Sequence, residues 1–284
     1  MALSEIDYTA RVKEAGANIY TVVEADADGN CRVENVNPAN PMFNNYSIAK
    51  AYTVFAVGLC ADRGLLTPET RLCDVLGKYL PANADEKWQR VTLDMVMRHR
   101  TGYSAGGYLD IDAQDAAAWP STDYLRLCFD GELTYEPGEV YKYTDADFYL
   151  MSRVVSEVTG KSLCDFLRPA LMETMGFSEL AWSTCPQGYS MGATGLYLRT
   201  KDMVKLGVLW LRGGDWFGKR LVSEDWVQKV LDRGYEFTLK TETADGKWYG
   251  KGGMRGQMLT FNPSQGLAVA WNAYGKVPYD EIIK

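Results

Sequence analysis

Residues 51–61 read Ala-Tyr-Thr-Val-Phe-Ala-Val-Gly-Leu-Cys-Ala and are apolar nearly all round. A helix without a polar face has to be covered on every side, so this one predicts a helix buried in the middle of the protein. It stops at Asp62-Arg63, well short of the roughly 18 consecutive apolar residues that read as a membrane span. Just ahead of it stand Ser47 and Lys50. Residues three apart lie on one face of a helix, one turn above the other. Burial disfavours a charged amine, and the positive end of a helix pushes the same way. A neutral Lys50 would then take the proton of Ser47 and turn an inert alcohol into a nucleophile. At average composition such a Ser-x-x-Lys pair arises by chance roughly once in a chain of this length, so it gains meaning only from partners elsewhere.

The 284 residues leave room for one large domain or two interleaved ones around a sizeable core. A net charge of −7 with no basic run points away from nucleic acid or an anionic membrane. The first residues have neither the basic start nor the apolar stretch of a secretory leader. The expectation is therefore a cytoplasmic protein, or an exported one whose leader is absent from this chain. Six cysteines (Cys31, Cys60, Cys73, Cys128, Cys164, Cys185) are scattered without metal-ligand spacing. Cys60 and Cys164 fall in helix-like apolar patterns and read as small core residues, in keeping with a reducing compartment.

Along the chain, residues 4–16 predict a helix. Two strands follow, 18–24 and 31–36, joined through an Asp-Gly hairpin turn. An Asn/Pro-rich loop over 37–45 leads to Ser47. From Asp62 to about Gln187 the pattern is mainly helical, with helices over 91–99, 146–158 and 162–175 and a long loop over 104–120. Helices over 200–211 and 223–231 precede three strands, 235–241, 256–261 and 267–272. Strands at both ends with helices between predict an α+β fold: one sheet built from the two termini, with a helical insertion. The expected division is a sheet domain of 1–62 and 190–284, a helical domain of 63–189, and the active site between them.

Two other serines sit in Gly-x-Ser-x-Gly strings, Ser104 and Ser190. A nucleophile elbow needs a strand before the serine, a helix after it and a histidine further on. The only histidine is His99, which precedes both. That arithmetic removes the α/β-hydrolase reading. His99 remains available in principle as a base for Ser47, but a lone histidine in an amphipathic segment is more often structural. Two later strings offer better partners. Tyr143-Thr144-Asp145 supplies a phenol able to shuttle a proton beside a lysine. Lys251-Gly252-Gly253-Met254 supplies glycines that let a backbone approach a ligand, with N–H groups for a developing oxyanion.

The order of these strings resembles the serine β-lactamase and penicillin-binding protein family, in its class C β-lactamase, DD-peptidase and esterase branch. Phe43 to Lys50 resembles that branch's nucleophile segment, and Met97-Arg98-His99-Arg100-Thr101-Gly102 a string in which the histidine is structural. Pro137-Gly138 through Asp145, Gly192 through Asp202 and Lys251-Gly252-Gly253 resemble its later motifs. The resemblance spans nearly the whole chain. It implies a serine β-lactamase-like α+β fold and an acyl-enzyme mechanism on a small-molecule or peptide substrate, with no metal and no organic cofactor. Ser47, Lys50 and Tyr143 would be catalytic, and the N–H groups of Ser47 and Met254 would form the oxyanion hole. Asp145, Lys251, Gly252 and Gly253 would touch the substrate. Lys251 would hold a substrate carboxylate or tune Tyr143. Apart from the resemblance, Tyr108, Trp119, Trp182 and Tyr189 are candidate pocket walls, although aromatic residues in helical domains are more often core.

Two positions depart from the pattern. Asp145 stands where an amide is usual and adds negative charge beside Lys50. Gly252 stands where a threonine is usual and deletes a hydroxyl. Both weigh against efficient β-lactam hydrolysis and towards a small ester, an amide or a D-amino-acid peptide. They also raise an alternative, a catalytically weak relative that binds a ligand or assists assembly.

Overall fold

The computed structural model describes residues 2–104 and 119–284, which leaves most of the expected 104–120 loop, and Tyr108 within it, outside the described residues. In chain order its α-helices are α1 (Tyr8–Glu14), α2 (Ala49–Asp62), α3 (Leu72–Leu76), α4 (Leu93–Met97), α5 (Tyr124–Asp130), α6 (Asp145–Thr159), α7 (Leu163–Arg168), α8 (Thr200–Leu211), α9 (Glu224–Arg233) and α10 (Tyr279–Ile283). The strands are β1 (Ile19–Asp26), β2 (Cys31–Asn35), β3 (Met42–Asn44), β4 (Ala181–Trp182), β5 (Leu196–Arg199), β6 (Asp215–Trp216), β7 (Lys219–Arg220), β8 (Thr238–Thr243), β9 (Gly246–Gly253), β10 (Gln257–Asn262) and β11 (Leu267–Ala273). The α+β architecture is the expected one.

Contacts group the chain into two compact units, one of residues 1–48, 170–181 and 196–284, the other of residues 49–169 and 182–195. The expected boundaries at 62 and 190 run elsewhere. Residues 49–62 group with the helices because α2 is buried along almost its whole length among them. Residues 170–181 group with the sheet.

The first unit is built on an antiparallel sheet in the order β2-β1-β11-β10-β9-β8, so the two ends of the chain meet at its centre. Val23 pairs with Ala270 of β11 on one side and Val33 of β2 on the other. Tyr8, Val12, Val22, Val269, Trp271 and Ile282 are buried together in one core cluster. α8 packs against β1, β10 and β11, where Gly207 lies so close that a Cβ there would stand 2.9 Å from that of Ala268. Fully buried β11 is therefore a near-continuous apolar run, as strands covered on both faces are.

β9 escapes sequence reading because four of its eight residues are glycine, which hides the alternation of a strand. The glycines answer to close approaches. A Cβ at Gly250 would stand 2.5 Å from the carbonyl oxygen of Leu259, and one at Gly253 2.4 Å from that of Asn45. β3 and β5 are short strands that pair with each other, Phe43 opposite Leu198, inside stretches that read as loops.

In the second unit α2 and α6 pack together, and α3, α4, α5 and α7 pack on α6. Residues Ala49 to Cys60 of α2 are all buried, as its uniformly apolar sequence requires. Thr144 caps α6 through a 3.1 Å bond from the N–H of Ala146, and Gly160 ends it at φ 68°. The segment after Tyr189 is tied to these helices. Thr53 Oγ1 donates to the carbonyl of Gly192 at 2.8 Å and Ser152 Oγ to that of Ser190 at 2.6 Å. Gly192 sits at φ 68° so close to α6 that a Cβ would come within 2.3 Å of the carbonyl oxygen of Phe148. Among the described residues no helix is long and apolar enough to cross a membrane.

Candidate active site

Ser47 lies in a short 3₁₀ turn, Tyr46–Ile48, which runs directly into α2. Its placement is fixed from behind by a buried amide network in the first unit. Asn272 Nδ2 on β11 donates to Asn45 Oδ1 at 3.0 Å and to Gln257 Oε1 at 2.8 Å. Thr200 Oγ1 donates to Asn272 Oδ1 at 2.5 Å, and Gln257 Nε2 to the carbonyl of Ala273 at 2.5 Å. The N–H of Asn45 reaches the carbonyl of Leu196 at 2.8 Å. Tyr46 adopts φ 46°, held by a 2.8 Å bond from its N–H to Asn44 Oδ1. Buried polar networks with every member paired hold one arrangement, and this one holds the residue two before Ser47. None of Asn45, Asn272, Gln257 or Thr200 was marked by its sequence context, because the network joins positions up to 227 residues apart.

The same unit supplies β9. Its last residue, Gly253, lies against the carbonyl of Asn45, and Met254 follows in a half-open turn with Arg255 at φ 61°. Lys251 is buried and ion-paired with Glu236, a carboxylate only 3% exposed. Gly252 has space around it: a Cβ there would meet Met258 Cε at 3.4 Å and the carbonyl oxygen of Gln257 at 3.7 Å.

In the second unit Lys50 is the second residue of α2 and fully buried. Its amine donates to Asp145 Oδ1 at 2.5 Å and to the carbonyl of Ala193 at 3.0 Å, and lies 4.8 Å from the centre of the Tyr143 ring. Asp145 and Asp147 both occupy the first turn of α6, where the helix dipole favours carboxylates. An amine facing a carboxylate, a carbonyl and an aromatic face is best served as an ammonium. The neutral amine expected from burial alone is thereby opposed.

Tyr143 is 38% exposed and packs against His99 with the rings tilted by 41° and their centres 4.4 Å apart. His99 Nδ1 lies 3.1 Å from Asp147 Oδ2, and Thr101 Oγ1 donates to Asp147 Oδ1 at 2.5 Å. The carbonyl of His99 accepts from the N–H of Lys142 at 2.7 Å. This buried group forms a platform beneath Tyr143, in agreement with the structural reading of His99.

The remaining candidates separate. Ser190 is fully buried and accepts from the N–H of Cys164 at 3.2 Å, a structural role. Trp182 is buried and donates from its indole to the carbonyl of Thr194, and Tyr189 covers the guanidinium of Arg153 at 3.6 Å. Trp119 packs edge-on against Tyr124. Each of the three has a packing partner within its own unit.

A sheet from both chain ends, a helical unit, and a serine one helical turn before a buried lysine are the arrangement of a β-lactamase-type fold. The chain belongs to the Beta-lactamase family, whose model matches residues 14–281. It is 29% identical over 138 residues to penicillin-binding protein 4 of Amycolatopsis lactamdurans, a match covering 49% of this chain and 35% of that one. It is 24% identical over 175 residues to a putative D-alanyl-D-alanine carboxypeptidase of Escherichia coli K12, covering 57% and 39%. The matched segments thus make up little more than a third of either relative. The structure of a family VIII carboxylesterase is similar in fold, with a TM-score of 0.73 at 16% identity, covering 100% of this chain and 98% of that one.

Proposed function

We propose that the protein hydrolyses an ester, amide or β-lactam carbonyl through an acyl-enzyme on Ser47. The observation that carries this reading is the placement of Lys50, one turn after Ser47, between the Asp145 carboxylate and the face of Tyr143. Ser47 Oγ attacks the carbonyl carbon and passes its proton to Tyr143, which takes it up in its phenolate form. The Lys50 ammonium beneath the ring stabilises the negative charge the phenol carries in the exchange. Tyr143 returns the proton to the departing oxygen or nitrogen. Water then attacks the ester on Ser47, with the same pair running in reverse. The N–H groups of Ser47 and Met254 face the oxyanion, which agrees with β9 ending against Asn45. The amide network behind Asn45 supports a fixed nucleophile, since catalysis of this kind depends on preorganisation.

The test is labelling with a fluorophosphonate followed by peptide mapping, together with p-nitrophenyl ester hydrolysis by the Ser47→Ala variant. A single adduct on Ser47 and loss of hydrolysis in the variant support the reading; turnover undiminished by the substitution refutes it. One observation favours a second reading, a slow relative that binds more than it turns over: a carboxylate, Asp145, stands 2.5 Å from the Lys50 amine where the resemblance leads one to expect an amide. A penicilloyl adduct stable for hours in intact-mass spectra would select it.

A further inference from the structure

The expectation that Lys251 holds a substrate carboxylate meets an obstacle in its own neighbourhood. Its amine is committed to Glu236, and the two charges cancel. Glu236 is built into that position: its backbone sits at φ 66°, with its N–H on the carbonyl of Gly234 at 2.8 Å. A neutral ion pair attracts an incoming anion only weakly.

A second lysine stands close by. β8 pairs with β9 as Thr238 to Gly250 and Leu239 to Tyr249, but the next pair is Thr241 to Trp248. Lys240 is the extra residue of a β-bulge. Regular alternation would send it to the face of Thr238 and Gly250, away from that of Lys251. A bulge breaks the alternation and re-aims a side chain, a device found beside active sites. Here it brings the Lys240 amine within electrostatic range of both Lys251 and Glu236. Among the described residues no carboxylate pairs with it, although its side chain is half-buried. Burial and the charge of Lys251 both push its amine downwards, and Glu236 offsets part of this. Such a group gains more from an incoming anion than a solvated surface lysine does.

We propose that Lys240, presented by the bulge in β8, recognises a carboxylate on the substrate, while Glu236 holds Lys251 as a neutral pair beside it. The substrate class is then an anionic acyl compound, with its carboxylate held on the β8–β9 side of the strand end that lies against Asn45. The assignment rests on the reading of Ser47 as the acylated residue.

The test compares three esters followed by pH-stat: neutral phenyl butyrate, 3-(butyryloxy)benzoate with the carboxylate on the leaving group, and phenyl hydrogen glutarate with it on the acyl chain. In Lys240→Met the ratio of kcat/KM for an anionic ester to that for the neutral one falls about tenfold, mainly through KM, the loss expected for one charge-assisted hydrogen bond. Lys240→Arg restores most of the ratio, and the affected ester tells which side carries the charge. Ratios unchanged for both anionic esters overturn the proposal. Fluorophosphonate labelling of Ser47 in the Lys240→Met protein separates this failure from that of the catalytic reading. Should the unmodified protein turn over none of the esters, calorimetric binding of 3-(butyryloxy)benzoate decides: weaker in Lys240→Met supports the subsite, and equal or absent binding in both proteins refutes it.

Discussion

The amine of Lys50 and the carboxylate of Asp145 meet at 2.5 Å, and both side chains are buried. The pair fixes where the lysine points and keeps a proton on it. Asp145 thereby opposes the role of free base that the Ser-x-x-Lys spacing alone suggests. Replacing it with the isosteric amide keeps an acceptor oxygen and removes the negative charge. A buried ammonium without its counter-ion gives up its proton more readily. In Asp145→Asn the alkaline limb of the kcat/KM profile therefore moves to lower pH, because the ammonium that stabilises the Tyr143 phenolate is lost sooner, and hydrolysis at pH 6 rises relative to pH 8. A limb that stays in place, or moves upwards, contradicts the account of this pair.

The network behind Asn45 makes a separate claim. Asn272→Leu strips Asn45 and Gln257 of a donor and Thr200 of an acceptor at once, all in the core. Leaving buried polar groups unpaired costs about 1–3 kcal/mol each, with partial relaxation, so a total loss of about 2–4 kcal/mol is expected in urea unfolding. Fluorophosphonate labelling of Ser47 slows as well, because the turn that carries it loses its anchor. A loss under about 0.5 kcal/mol, the range of an ordinary surface substitution, is the result that counts against it.

Much of this site was legible from the chain because its pieces are local. Ser47 and Lys50 share a helical turn, Tyr143 and Asp145 flank a helix cap, and the glycines after Lys251 mark a close backbone approach. The single histidine could be set aside by order alone, and the structure puts it under Tyr143. What stayed hidden depends on partners distant in sequence. Glu236 precedes Lys251 by 15 positions in a turn with no motif, the Asn45–Asn272 bond spans almost the whole chain, and the bulge at Lys240 exists only once β8 is aligned on β9. β9 itself was lost to its glycines. The helix expected over 162–175 is α-helical only to Arg168, after which Pro169–Thr174 winds as a wider π-type turn.

At Gly252 the missing threonine is a matter of chemistry, since the space exists. The residue is not at positive φ, and its surroundings leave a Cβ in ordinary contact. Gly252→Thr should fold and gain up to about 1 kcal/mol from the β preference of threonine over glycine. It should also be acylated faster by benzylpenicillin than Gly252→Ala, because only the former adds a hydroxyl. Equal rates in the two variants would remove the hydroxyl from the explanation.

Cys60, deep in α2, gives a pH signature unconnected with catalysis. Burial pushes its thiol from 9.0 up to about 12. A folded state that keeps the proton is favoured below pH 9 and loses that advantage as the unfolded thiol ionises, between pH 9 and 12. From pH 8 to pH 10 this one group removes about 1.4 kcal/mol of stability. The gap between the wild-type protein and Cys60→Ala should shrink by that amount over the same interval in parallel urea titrations. A constant gap contradicts the burial of an un-ionised thiol.

The central claim is that Ser47 is the residue that carries the acyl group. Its most direct measurement is quench-flow mass spectrometry of the protein with p-nitrophenyl butyrate. The account predicts a transient mass increase of one butyryl group, mapped to the peptide containing Ser47 and absent in Ser47→Ala. Product release with no adduct at any time, or an adduct on another residue that survives Ser47→Ala, would contradict it.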